Sequence, residues 1–170
     1  PRGQFGSWVN LCFDPKGRLI ASNQNGLLYR VTIDRPSKGQ VQVEPIDVRT
    51  KPNSQPIGKA HGLCYAFGSL YVVVSDGGGE GNGLYRLRDA DGDDKFETAE
   101  LLTRLDGGGE HGPHAVRLAP DGKSLFVIAG NHTKLPKIHA SRVVRRWGED
   151  QLVPRMNDAG GHAVGVMAPG

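Results

Sequence analysis

The sequence lacks any long apolar run. Its longest, Leu70-Tyr-Val-Val-Val74, falls far short of the roughly 20 residues a spanning helix needs, so no direct membrane insertion is expected of this segment. A dominant charge is also missing: 21 basic and 18 acidic side chains leave a net charge of +3. The one basic cluster, Arg142, Arg145 and Arg146, is too small for a nucleic-acid surface, and no nucleic-acid partner is expected. Cysteine is scarce. Cys12 and Cys64 each sit inside an apolar, strand-like run, where buried free thiols and a mutual disulfide are the alternatives. Helix signals are nearly absent, a short helical turn or basic strand at Ser141 to Trp147 being the exception.

Glycine is abundant instead. There are 25, about double the usual share of roughly 7%, and 11 prolines join them in punctuating the chain every few residues. Both residues cost helix stability, so the expected class is all-β, with short strands and many turns. A length of 170 residues gives room for one domain with a real core. The chain opens on Pro1 rather than methionine and stops at Gly170 with no terminal element. Residues 1–170 are therefore expected to be a piece of one domain, truncated at both ends.

A repeat organises the chain. The turn Asp14-Pro-Lys-Gly17 feeds Arg18-Leu-Ile-Ala21, Ala66-Phe-Gly-Ser69 feeds Leu70 to Val74, and Pro120-Asp-Gly-Lys123 feeds Ser124 to Ile128. Leu19 and Leu70 are 51 residues apart, and Leu70 and Leu125 are 55 apart. Trp8 to Phe13, His61 to Tyr65 and His114 to Leu118 precede these hairpins, and the Gly26-Leu-Leu-Tyr-Arg echo returns at Gly83-Leu-Tyr-Arg. Three strands per unit, a fourth in the connection and a period of about 50 residues predict propeller blades. The expected architecture is a partial β-propeller, about three blades of a six-bladed ring.

Two segments carry chemistry. In the twelve-residue loop Asp89 to Glu100, carboxylates fall at alternate positions, so Asp89, Asp91, Asp93 and Glu100 are candidate ligands for Ca²⁺. The position that ordinarily holds the turn glycine is Asp94, and no helices flank the loop; a solvated acidic hairpin is the alternative. In Gly107-Gly-Gly-Glu-His-Gly-Pro-His114, two histidines lie three apart among glycines that allow close approach to a ligand. His61 and His114 open equivalent segments, and with His132 they can converge on one pocket or satisfy buried backbone. Asp76-Gly-Gly-Gly-Glu-Gly81 reads as a plain mobile loop.

Together Gly6-Ser-Trp-Val-Asn10, Asp14 to Leu19, Gly26 to Arg30, Ala60-His-Gly-Leu63, Leu70 to Val73, the Asp89 loop, Gly109-Glu-His-Gly-Pro-His114 and Gly130-Asn-His-Thr133 resemble large planctomycete-type membrane-bound or haem-binding dehydrogenases. The propeller of that family is similar to soluble quinoprotein glucose and sorbosone dehydrogenases. The resemblance implies a hydride transfer from a sugar or alcohol to pyrroloquinoline quinone (PQQ), with His111 as general base and Asn131 where the family has an orienting aspartate. A glutamine that touches the quinone in that family is matched here by Ala60 or His61, and the blade positions of His61, His114 and His132 make them the candidate cofactor-binding residues. The resemblance also implies export to the periplasm or cell surface, and a cytochrome c domain as electron acceptor. Haem c would belong to neighbouring domains, since Cys-x-x-Cys-His is absent here. A propeller without catalysis, binding carbohydrate or protein beside such domains, is the competing expectation.

Overall fold

The structure is a computed structural model that describes residues 3, 5–34 and 39–134 and the backbone of 164–167. The expected element between Ser141 and Trp147, and the histidines at 139 and 162, lie outside the described residues. The chain is all-β with antiparallel sheets. The first sheet is a meander of β1 (Trp8–Phe13), β2 (Leu19–Asn23), β3 (Leu28–Asp34) and β4 (Gln40–Ile46). The second repeats it with β5 (Ala60–Ala66), β6 (Ser69–Val74), β7 (Gly83–Arg88) and β8 (Thr98–Arg104). A 3₁₀ turn, Gly109–His111, leads into the third, where β9 (Pro113–Leu118), β10 (Leu125–Ala129) and β11 (Val164–Met167) pair in that order. Among the described residues no sheet closes into a ring, and no helix is long and apolar enough to cross a membrane.

Turn chemistry sets the hairpins. Between β5 and β6 the two-residue loop Phe67-Gly68 has φ of 50° and 67°, the left-handed pair that matches strand twist in tight hairpins. In the first sheet, Asp14 accepts from Lys16 N–H and Arg18 N–H through Oδ1, at 3.0 and 2.9 Å, so its side chain stands in for backbone across the turn.

The sheets stack face to face in chain order, and β6 shows why. Its six residues are all buried, and a strand sends alternate side chains to opposite faces. Leu70, Val72 and Val74 pack with Ile20, Leu28, Ile46 and Val48 of the first sheet and its connection. Tyr71 and Val73 pack with Val116, Leu125 and Val127 of the third. Full burial of each such side chain contributes about 1.5–3 kcal/mol. The apolar run that is too short for a membrane is thus a strand covered on both sides.

The first strands of successive sheets are neighbours, β1 against β5 and β5 against β9. Each carries a bulge at its second residue. Trp8 and Asn10 face consecutive partners on β2, Ala60 and Gly62 do so on β6, and Pro113 and Ala115 on β10. Val9, His61 and His114 are the extra residues. Bulges re-aim side chains and gather near functional sites.

Candidate functional site

Two of the three bulged residues meet. The Nδ1 atoms of His61 and His114 lie 3.3 Å apart, and their rings are nearly parallel, 9° apart with centroids separated by 5.3 Å. The approach depends on Gly62: a Cβ there would stand 2.6 Å from the His114 carbonyl oxygen, so any side chain would force β5 away from β9.

On its other edge, His61 Nε2 lies 3.3 Å from Asp76 Oδ2. That separation is within ion-pair range, but the angle falls outside hydrogen-bond geometry, so the buried nitrogen lacks a hydrogen bond in this conformation. The His61 side chain is only 10% exposed and Asp76 is 31% exposed. Asp76 is itself held: its Oδ1 accepts the Gly109 N–H at 3.0 Å. The glycine-rich loop that carries it is tied down at several points. The Tyr85 hydroxyl donates to Gly81 O at 2.6 Å and accepts from Glu80 N–H at 3.0 Å, and burial pushes that phenol's pKa up. Asn82 Oδ1 accepts from Gly77 N–H at 2.7 Å, while its Nδ2 donates to Gly107 O. Lys51, 2.7 Å from Glu80, holds that carboxyl below its ordinary range.

Asp76 was not legible as a site residue, because it stands in a run that reads as a plain loop. A signal did exist in the repeat. Asp76 follows the end of β6 by two residues, as Asn131 follows the end of β10, and His61 and His114 open the paired strands.

His111 and His132 form a second pair, ring centroids 4.9 Å apart at 57°, and His132 N–H donates to His111 O at 2.9 Å. Both are exposed, as is Asn131. The contacts described for the His111 ring are with His132, not with Asn131.

The acidic loop lies elsewhere, between β7 and β8. Asp89, Asp91, Asp93 and Glu97 each bring a carboxylate oxygen within 4.8 Å of the others, an arrangement able to hold a metal ion. Glu100 is not in this group; on β8 it pairs across the sheet with Arg86 Nη2 at 2.7 Å. Glu97 stands in the cluster where spacing alone placed Glu100, because β8 has already begun at Thr98, opposite Arg88, and holds Glu100 across from Arg86. Asp94 turns the other way, with φ of 76°, and meets both Arg18 guanidinium nitrogens and Lys16 Nζ at 3.2 Å. The hydrogen-bonded Arg18 holds its carboxyl well below the usual carboxylate range. Arg18 and Arg30 also flank the buried Asp14, at 2.7 and 3.9 Å. The loop therefore clamps the second sheet onto the first.

No protein-family model matches the chain, and no curated protein matches it either. The chemistry of the site is accordingly argued from its geometry.

Proposed function

We propose that the three sheets are blades of a β-propeller, about half of a six-bladed ring, in a quinoprotein-type dehydrogenase oxidising a sugar or alcohol. The meanders support the propeller, since each enters through a strand lying beside the entering strand of the sheet before it. The observation that carries the functional reading is the convergence of imidazoles at one end of β5 and β9, with a carboxylate beside one of them. A neutral imidazole titrates near working pH and can take a hydroxyl proton without a metal. In this reading His111 is the base, His132 lies beside it, and His61 and His114 line the pocket. Electrons would leave through a cytochrome c domain, at the periplasmic or cell-surface location that the resemblance implies. Ca²⁺ in the Asp89 loop would be structural, stiffening the clamp between sheets.

The fit to PQQ is incomplete. A tricarboxylate quinone needs cationic partners, and among the described residues the contacts given for the two histidine pairs include no Lys or Arg side chain. The residues suit proton transfer and not the anchoring of that cofactor, so no step is derived through it. This same observation favours the second reading, a propeller that binds carbohydrate or protein without catalysis.

Titrating PQQ with Ca²⁺ into the full-length protein, followed by calorimetry and absorbance, separates the two. Saturable binding at one site, with turnover lost in a folded His111→Ala variant, would establish the first reading. A folded protein that ignores the quinone and binds a glycan would establish the second reading.

A further inference from the structure

We infer that His61 Nε2 and Asp76 Oδ2 are two ligands of a Zn²⁺ site at the open end of the β5–β6 hairpin. The site goes beyond the proposed function and stands whether or not that reading does. Ala60 pairs with Val74 at this end of the two strands, so His61 enters β5 beside the place where the chain leaves β6 for Asp76. The two groups are brought together without being bonded to each other. Nε2 and Oδ2 lie 3.3 Å apart, yet Nε2 makes no hydrogen bond, on a side chain that is nine-tenths buried. A buried polar atom in that state costs stability unless something further satisfies it. Among the described residues the contacts given for the Asp76 carboxylate include no Lys or Arg either. A cation between the two atoms removes both deficits.

The spacing selects the cation. Zn²⁺ holds imidazole nitrogen at about 2.0–2.1 Å and carboxylate oxygen at about 2.0–2.2 Å, and tetrahedral angles then set the two ligand atoms about 3.3–3.5 Å apart. An octahedral Mg²⁺ would draw neighbouring ligands to about 2.9 Å, and Ca²⁺ takes an all-oxygen shell. A water at ordinary hydrogen-bond length from both atoms would have to bond them at an acute angle. The outer atom of each ligand is also held. Gly109 N–H donates to Asp76 Oδ1 at 3.0 Å, which leaves Oδ2 for the metal. When Nε2 of His61 ligates, the ring's proton sits on Nδ1, and Nδ1 of His114 faces it at 3.3 Å as the acceptor. Such outer-shell partners fix the tautomer and orientation of metal-ligating histidines. Only the Nδ1 side of His114 enters the argument. The remaining positions of the tetrahedron are open to water or to an oxygen of an entering ligand, whose pKa a bound Zn²⁺ lowers.

Calorimetry with ZnCl₂ on metal-stripped full-length protein tests the site, with Ca²⁺ present throughout to occupy any cation site in the Asp89 loop. One Zn²⁺ per chain is expected, with affinity unchanged in Asp91→Ala and in His132→Gln, which disrupts the exposed histidine pair. His61→Gln and Asp76→Asn should each weaken binding at least about tenfold, with folding checked by thermal melts. Co²⁺ in the wild type serves if those variants do not fold: a four-coordinate ion absorbs visible light strongly, and an octahedral one only weakly. Zn²⁺ that binds equally well in the folded His61→Gln and Asp76→Asn variants, an octahedral Co²⁺ spectrum, or no Zn²⁺ binding at all would each overturn the site. Loss of binding in Asp91→Ala or His132→Gln would place the metal on the acidic loop or on the other histidine pair, and overturn it as well.

Discussion

Burial of the Cys12 side chain against the core, and then the neighbouring Cys64, push the thiol of Cys12 from its ordinary value up to about 12. Burial raises Cys64 as well, and both cysteines are free. The thiolate is the reactive form, so the raised pKa disfavours either residue as a nucleophile, and a packing role is what their positions support. The sign of the pH effect follows. Between 9.0 and about 12 the unfolded Cys12 has lost its proton while the folded one keeps it, so the unfolded state binds fewer protons and stability falls as pH rises. Thermal melts across that window should show the wild type losing stability more steeply than Cys12→Ala. In the native protein at about pH 8, a disulfide reagent should react with both thiols far more slowly than after denaturation.

Within single elements, the loop between β7 and β8 does two jobs that composition alone merges into one. Its even-spaced carboxylates gather, and the odd one, Asp94, reaches Arg18 on the neighbouring sheet. Asparagine tolerates the left-handed backbone that Asp94 adopts, so Asp94→Asn removes the charge and keeps the loop path. Because the pair is partly exposed and shared with Lys16, its loss should cost about 1 kcal/mol in urea unfolding. The gathered carboxylates predict something separate. Ca²⁺ should raise the melting temperature, and Asp91→Ala should abolish the rise; a wild type that does not respond leaves the loop a clamp and nothing more.

For the whole molecule, the outer face of the first sheet matters most. Period-two alternation puts Leu11, Ala21, Tyr29 and Pro45 in one cross-strand row, and Phe13, Leu19, Val31 and Val43 in the next. This face lies opposite the one packed on the second sheet, and Phe13 is 64% exposed and Ile33 56%. At the other end of the stack, Phe126 and Ile128 are exposed while Leu125 and Val127, the residues alternating with them, are buried. Apolar faces of this extent promote association. Residues 1–170 produced alone should therefore show a mass in sedimentation that grows with concentration, and Phe13→Lys combined with Ile33→Lys should reduce it. A strictly monomeric chain at every concentration would mean these faces need no cover, which would weaken the propeller reading.

Strand positions and their sheet grouping were readable from the sequence, because they depend on local chemistry. Glycine turns such as Phe67-Gly68, alternation, and the return of the same hairpin after about 50 residues all act over a few neighbours. Even the burial of Leu70 to Val74 on both faces was implicit in a continuous apolar strand. The site was only half legible. The repeat marked His61 and His114 as equivalent, but nothing local says that two bulges turn them together, or that a bare Gly62 lets their strands close to that distance. The place of Asp76 beside His61, and of Glu97 rather than Glu100 among the gathered carboxylates, depends in the same way on which groups lie across a sheet or at the end of a neighbouring hairpin. Periodicity fixes which face a side chain takes; only packing between sheets decides what it meets there.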